Sequence, residues 1–222
     1  MYLSRLELEP YRMRKAWSSL QVMHAAIESA FEGGSDTRKL WRIDQLAGRY
    51  YLIVCSRTRP LTCPDDLGGT DNTWETVEYE PFLLRLKEGQ KWSFRLRANP
   101  TRSISQGAGK RGKVYAHVTV DQQKAWLLSR AEDCGFVIPR FEDASDIDED
   151  EVQARQFDVV QREQLRFKKK HNAKPIELRV ATFEGVLEIR DVNRLRQVLC
   201  DGIGRAKAYG CGLLTLAPVS ER

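Results

Sequence analysis

The pattern of apolar and polar residues divides the first half of this chain into strands around one helix. Apolar and polar positions alternate over residues 2–9, which is typical of a half-buried strand. Between Trp17 and Phe31 the apolar residues recur at helical spacing, and Gly33-Gly34 ends this predicted helix. Further strands are predicted at 39–46, 49–56, 74–79 and 92–99. The first half is therefore predicted to be β-α-β-β-(irregular)-β.

The second half repeats this order of elements. Asp121 is predicted to cap a helix that ends near Cys134, and Asp191 a second helix with an apolar face. Strands are predicted at 136–141, 157–160, 165–169, 176–189 and 213–216. Two β-α-β-β-α-β units with antiparallel sheets, an α+β fold, fit this order. We place the boundary between Lys113 and Asp121, which gives domains of residues 1–115 and 116–222.

The composition is that of a soluble globular protein. The chain has 222 residues, 41% of them apolar, enough for one large domain or two small ones. No apolar run approaches the roughly 18 residues of a membrane span, and the first residues form a predicted strand rather than a secretory signal. The five cysteines are scattered and never spaced as C-x-x-C, which argues against a disulfide framework or a zinc site. We therefore expect a cytoplasmic protein with reduced cysteines.

Positive and negative charges are segregated along the chain. Six Lys or Arg and no acid occur from Arg95 to Lys113, and six against one Glu from Arg162 to Lys174. Residues 142–151 carry seven acids and no base, and we interpret them as a solvated insertion. A run of charge is usually a solvated face, yet two basic runs in a chain of net charge +5 favour a polyanionic partner. Nucleic acid is the obvious candidate.

A glycine-rich loop with two cations follows the last predicted helix. Glycines allow backbone to close on a ligand, and Arg and Lys in the same loop are the chemistry of a phosphate clamp. Because the helix comes first, the loop is neither a P-loop nor a dinucleotide fingerprint. The alternative is a glycine C-cap followed by a tight turn. The candidate phosphate-binding residues are Gly202, Gly204, Arg205, Lys207, Tyr209, Gly210 and Gly212.

Three histidines are candidates for proton transfer, because a histidine ordinarily titrates near neutral pH. His24 falls at an apolar spacing of the first predicted helix, where a buried structural histidine is the alternative. His117 lies in the strand-like stretch 114–120 and is interpreted as structural. His171 follows three lysines and is interpreted as a phosphate contact.

Several segments of the chain together resemble a known family. They are Met1–Ser4, Phe94–Pro100, Phe183–Leu187, Gly202–Lys207 and Gly210–Pro218. In this order and spacing they resemble CasE, the CRISPR repeat endoribonuclease of the type I-E Cascade complex in the RAMP superfamily. The resemblance implies two tandem ferredoxin-like (RRM-like) domains. It further implies metal-independent cleavage of precursor CRISPR RNA at a repeat hairpin, without a cofactor, and retention of the crRNA among other Cascade subunits.

The resemblance also makes His24 the candidate catalytic residue. The 2′-OH of RNA can attack the adjacent phosphate and leave a 2′,3′-cyclic phosphate, so the protein needs only to align groups, move protons and offset charge. Relatives carry a tyrosine or a basic residue where this chain has Gln21 and Ser29. Lys207, Tyr209, Arg205 or Tyr11 are candidates to assist instead.

Two further groups of cations are candidates for RNA binding. Those flanking the turn Asn172-Ala173 resemble a basic hairpin laid along the RNA stem, and the alternative is a lysine-rich edge that prevents aggregation. They are Arg166, Lys168, Lys169, Lys170 and Lys174. The second group is predicted to line the RNA path or face Cascade neighbours. It comprises Arg95, Arg97, Arg102, Lys110, Arg111 and Lys113.

Two other functions are compatible with parts of this pattern. A noncatalytic hairpin-binding or scaffold subunit would use the same basic surface without turnover. An enzyme acting on a small nucleotide would use the glycine-rich loop, but the chain lacks the strand-to-helix order and an evident metal-binding carboxylate pair.

Overall fold

The described part of the protein contains two larger antiparallel sheets and one two-stranded hairpin. The computed structural model describes residues 1–11, 13, 19–32, 38–63, 74–107, 109–110, 112–141, 152–168 and 175–219. The predicted acidic insertion at 142–151, the helix residue Trp17 and the glycines at 33–34 lie outside these residues. No helix in the described part of the chain is long and apolar enough to cross a membrane.

The first sheet has four strands in the order β2-β3-β1-β4. Its elements are β1 Tyr2–Leu8, α1 Leu20–Ser29, β2 Leu40–Leu46, β3 Arg49–Ser56 and β4 Trp74–Glu78. All its pairings are antiparallel. Helix α1 buries Met23, Ala26 and Ile27, which pack with Leu6 and Leu52 of the sheet. This buried face fixes which side chains of α1 point away from the sheet.

The second sheet has the strand order β11-β5-β10-β8, and β9 also pairs with β10. Its elements are β5 Lys91–Ala98, α3 Val120–Ala131, β8 Phe136–Val137, β9 Phe157–Phe167, β10 Ile176–Ile189, α4 Val192–Asp201 and β11 Leu214–Ala217. Helix α2, Glu80–Arg85, precedes this sheet. The hairpin of β6, Thr101–Ile104, and β7, Lys113–Ala116, is inserted after β5. The α+β class and the tandem ferredoxin-like arrangement are thus confirmed.

Strand β5 belongs to the second sheet and not to the first. It pairs with β10 along 91–98 and with β11 through Leu214–Ala217. The predicted domains, 1–115 and 116–222, would separate β5 from both of its partners. The pairing instead favours a boundary between β4 and β5, because each sheet then keeps all its strands.

Several local expectations are corrected. Thr119, and not Asp121, caps α3, with a reciprocal capping box to Gln122. The two strands predicted at 157–160 and 165–169 are one continuous strand, β9, and β8 is only two residues long. Asp191 caps α4 as predicted, accepting from the amides of Asn193 and Arg194.

A buried arginine joins the two sheets. Arg42 of β2 is 2% exposed and is held by both oxygens of Asp44 at 2.7 Å. Its guanidinium also donates to the carbonyl oxygens of Arg95 and Leu213 at 2.9 Å, and to Thr215 Oγ1 at 2.8 Å. Since these three acceptors lie on or beside β5 and β11, Arg42 fixes the first sheet against the second.

Candidate functional site

His24 lines a cleft between α1 and the loop that follows α4. The cleft has a volume of about 590 Å³, and Glu28, Lys207 and Ala208 also line it. The imidazole is 29% exposed, and its centroid lies 6.4 Å from that of Tyr209 at an interplanar angle of 64°. His24 is thus not a core residue; it lies beside the glycine-rich loop.

Helix periodicity brings Glu28 to the same side of α1 as His24. The two residues are one turn apart, and His24 Nδ1 lies 3.8 Å from Glu28 Oε1. The other carboxylate oxygen of Glu28 accepts from Lys39 Nζ at 2.6 Å. The Lys39 side chain is fully buried and its ammonium lies 5.5 Å from the centre of the Phe31 ring.

Cations outnumber acids around the cleft. Arg38, Lys39, Arg57 and Lys207 line it, against the carboxylates Glu28 and Asp201. Lys207 Nζ donates to the carbonyl oxygen of Asp201 at 2.6 Å. Burial, together with the positive charge of Arg38, lowers the pKa of Lys207, and the charge of Asp201 opposes this shift. An anion in the cleft would relieve this repulsion, so the site is suited to a phosphate.

The four glycines of the loop meet protein atoms, not an open ligand site. All have positive φ, from 73° to 94°, which glycine adopts without strain. A Cβ on Gly202 would meet Leu40, one on Gly204 Trp126, and one on Gly210 Trp41. A Cβ on Gly212 would lie 2.8 Å from the carbonyl oxygen of Ile203. The prediction that glycine backbone closes on a ligand is therefore corrected: it closes on the core of the protein itself.

The two cations of the loop have different positions. Lys207, in the 3-10 turn Lys207–Tyr209, lines the cleft with His24. Arg205 is exposed and forms an isolated β-bridge with Asn99. It is not among the residues lining the His24 cleft, so the predicted pairing of Arg205 and Lys207 around one phosphate is not present in this structure.

Of the four candidates to assist His24, Lys207 lines its cleft and Tyr209 lies beside the imidazole, whereas Arg205 and Tyr11 do not line the cleft. Tyr209 is 9% exposed and packs on Phe167 with ring centroids 4.6 Å apart. Tyr11 is 81% exposed and Gln21 partly exposed, and neither lines the cleft. Ser29 is exposed and donates to the carbonyl oxygen of Ala26 at 2.9 Å.

Arg95 and Arg97, predicted to contact RNA, are each paired with carboxylates of the protein itself. Arg97 is paired with Glu163 at 3.2 Å and donates to the carbonyl oxygens of Tyr209 and Gly210. Its side chain is only 12% exposed. Arg95 pairs with Asp44 at 3.1 Å and with Glu184. These contacts hold strands and the loop in place. The charges of both arginines are already compensated by carboxylates of the protein.

The remaining predicted cations are exposed where the structure describes them. These are Arg102, Lys110, Lys113, Arg166 and Lys168. Arg111, Lys169, Lys170, Lys174, His171 and the turn 172–173 lie outside the described residues. His117 lies just after β7; burial and the charges of Arg102 and Arg130 lower its pKa.

Sequence reasoning missed three of the four Lys and Arg residues that line the cleft. Arg38, Lys39 and Arg57 come from the segments flanking β2 and β3, and no motif marks them. The only available signal was that each lies at the end of a predicted strand, next to buried positions. Among the described residues, no cluster of three His, Cys, Asp or Glu side chains has the spacing to hold a metal ion.

Comparison with known proteins gives consistent similarities over the full length. The family described as CRISPR associated protein matches residues 1–218. The CRISPR-associated endoribonuclease Cse3 of Thermus thermophilus is 31% identical over 228 residues, covering 98% of this chain and all of that protein. The CRISPR system Cascade subunit CasE of Escherichia coli is 33% identical over 234 residues, covering 99% of this chain and all of that protein.

A solved structure is similar in both fold and sequence. It is CRISPR endoribonuclease Cse3 bound to a 19 nt RNA, with a TM-score of 0.77 and 28% identity. The similarity covers 98% of this chain and 100% of that chain.

Proposed function

Because this chain belongs to the CRISPR associated protein family, we propose that it is a metal-independent endoribonuclease that cleaves precursor CRISPR RNA at the repeat hairpin. The observation that carries the proposal is the cleft that His24 shares with Lys207. A partly exposed imidazole beside several cations is what cleavage of RNA by its own 2′-OH requires. A relative over the full length bears the name endoribonuclease.

The chemistry uses the RNA as its own nucleophile. The 2′-oxygen bonds to the adjacent phosphorus as its proton leaves, and the bond from phosphorus to the 5′-oxygen breaks. The products are a 2′,3′-cyclic phosphate and a 5′-OH that has gained a proton. His24 transfers one of these protons, while Lys207, Arg38 and Arg57 offset the charge that develops on the phosphate.

The exposed cations fit a longer contact with RNA. Arg166 and Lys168 lie at the end of β9, on the strand that pairs with β10. Contacts from such residues to phosphates would hold a hairpin in register, and its shape would supply recognition. Since a relative is named a Cascade subunit, we propose that the protein keeps the mature crRNA as a subunit of such a complex in the cytoplasm.

One experiment separates the enzyme from a noncatalytic hairpin-binding subunit. Wild type, His24→Ala and His117→Ala are incubated with the host repeat RNA in EDTA, and the fragment ends are analysed. Wild type and His117→Ala should give a 2′,3′-cyclic phosphate end, while His24→Ala should lose about 10²- to 10⁴-fold in rate with little change in affinity. A 2′-deoxy nucleotide at the cut site should stop the reaction. Tight binding by wild type without any cleavage would instead identify a hairpin-binding or scaffold subunit.

A further inference from the structure

We propose that Glu28 is the positioning residue for His24. Its carboxylate, anchored by Lys39, accepts a hydrogen bond from the imidazole Nδ1–H when substrate is bound, which leaves Nε2 to exchange protons with the RNA. This inference rests on the proposed function, because it assigns the group through which His24 is oriented.

The geometry provides one carboxylate oxygen for each neighbour. Glu28 Oε2 lies 2.6 Å from Lys39 Nζ, and Oε1 lies 3.8 Å from His24 Nδ1. The second distance is too long for a hydrogen bond in the free protein. A small side-chain rotation closes it, and contacts of this kind commonly shorten when substrate is bound.

Lys39 restricts the carboxylate to this place. Its side chain is fully buried, and a buried ammonium without a carboxylate partner would be strongly unfavourable. Lys39 directly precedes β2, whereas Glu28 belongs to α1, so the ion pair joins helix to sheet. Glu28 itself is only 20% exposed, so its position is determined by contacts with the rest of the protein.

The other charged groups around His24 are of both signs. Lys207 and Asp201 face the cleft from the loop and from α4, and Arg38 and Arg57 from the segments beside β2 and β3. Tyr209 presents its ring to the imidazole from the 3-10 turn. Of the two carboxylates lining the cleft, Glu28 is the one that lies 3.8 Å from the imidazole, so it is the group that would select the protonated nitrogen when substrate is bound.

The proton balance is the same for either role of His24. As a base, neutral His24 takes the 2′-OH proton on Nε2, and the imidazolium formed is stabilised by the negative charge of Glu28. As an acid, the imidazolium gives the Nε2 proton to the leaving 5′-oxygen. In both directions Nδ1 keeps its proton, because the carboxylate accepts the hydrogen bond from Nδ1–H throughout.

The test compares Glu28→Gln with Glu75→Gln, which removes an exposed carboxylate paired with Arg5. Single-turnover cleavage of repeat RNA is measured, and the tautomer of neutral His24 is read from its imidazole ¹⁵N shifts in the free and RNA-bound protein. Glu28→Gln should slow cleavage about 10- to 100-fold, less than the loss of His24 itself. RNA-bound wild type should hold the Nδ1–H tautomer, Glu28→Gln should give a mixture of the two tautomers, and Glu75→Gln should match wild type.

A second variant keeps the test valid if Glu28→Gln weakens the pairing of the buried Lys39 charge enough to unfold the protein. Glu28→Gln/Lys39→Met removes both charges and should show the same mixture of tautomers. An unchanged tautomer in a folded variant would overturn the proposal, even if the rate fell. If wild type does not cleave, the proposed function fails, whereas the tautomer measurement still decides whether Glu28 orients the ring.

Discussion

Gly210 lies directly against the ring of Trp41, so that a Cβ at this glycine would be 2.8 Å from the ring. Its φ is +73°, a conformation that other residues rarely adopt. Trp41 also donates from Nε1 to the carbonyl oxygen of Ala208 at 3.3 Å. The turn carrying Lys207 therefore packs against Trp41 of β2.

Gly210→Ala should destabilise the protein more than Gly48→Ala. Both glycines have positive φ, but a Cβ at Gly48 has no neighbour within 4 Å among the described residues. We expect Gly48→Ala to lower the free energy of unfolding by about 1 kcal/mol, and Gly210→Ala by about 2 to 4 kcal/mol because overpacking adds to the strain. Urea denaturation measures both. Equal losses would mean that the Trp41 ring moves aside freely.

Arg42→Met should lower the free energy of unfolding by about 3 to 5 kcal/mol, because it removes both guanidinium hydrogen bonds to buried Asp44, which then keeps only its pair with Arg95, and leaves several buried acceptors without this donor. The matched control is Arg49→Met, which removes an exposed pair with Glu7 at 3.2 Å and should cost at most about 1 kcal/mol. Thermal or urea denaturation distinguishes them. A similar small loss in both variants would show that Arg42 does not hold the sheets together.

The secondary structure was largely predictable because periodicity reports local burial. Strands β1, β2, β3 and β10 and helix α4 agree with the predicted elements within a residue or two. The membership of β5 was not predictable in this way, since its alternation fits either sheet. Its partners, β10 and β11, are distant in sequence.

Charge alone could not separate structural from exposed arginines. Arg97 and Arg166 belong to equally basic stretches, yet Arg97 faces Glu163 and the loop while Arg166 is 69% exposed. For the glycines, the sequence indicated a loop or tight turn but not what lies beside them. Trp41 and Trp126, which occupy that space, come from elements remote in the chain.

Arg166→Ala and Lys168→Ala should weaken RNA binding and flatten its salt dependence. Each phosphate contact that is lost should reduce the slope of log affinity against log salt by roughly 0.7 to 0.9. Arg97→Ala is the control: Arg166 also has a carboxylate partner, Glu177 at 3.4 Å, but its side chain is 69% exposed, whereas that of Arg97 is 12% exposed. Loss of Arg97 should therefore lower stability and leave the slope unchanged. Filter binding at several salt concentrations measures the slopes. Unchanged slopes for Arg166→Ala and Lys168→Ala would favour a lysine-rich edge that only prevents aggregation.

The protein should lose stability in alkaline solution through its buried thiols. Burial raises the pKa of Cys55 from 9.0 to about 12 and that of Cys211 from 9.0 to about 11. Above pH 9.0 the unfolded chain releases these protons while the folded protein holds them. The contribution of the two thiols to the free energy of unfolding is therefore complete below pH 9.0. It is lost as the pH rises toward the pKa values of the folded protein.

Cys211→Ala should reduce this loss by about 1 kcal/mol per pH unit between pH 9.0 and about 11. The comparison of variant with wild type isolates the thiol, because the lowered pKa of Lys207 acts in the opposite direction in both proteins. Urea denaturation at a series of pH values gives the slopes. Parallel plots of the free energy of unfolding against pH for the two proteins would contradict the assignment of this loss to Cys211.

The hydrogen bond from Trp41 to Ala208 joins positions 167 residues apart. Contacts this distant slow folding, because closing a long loop costs entropy before the contact stabilises anything. Under the proposed function, His24 acquires Lys207 as a neighbour in the cleft only when segments from opposite ends of the chain have come together. Nuclease activity would therefore begin only in molecules that have completed this long-range closure.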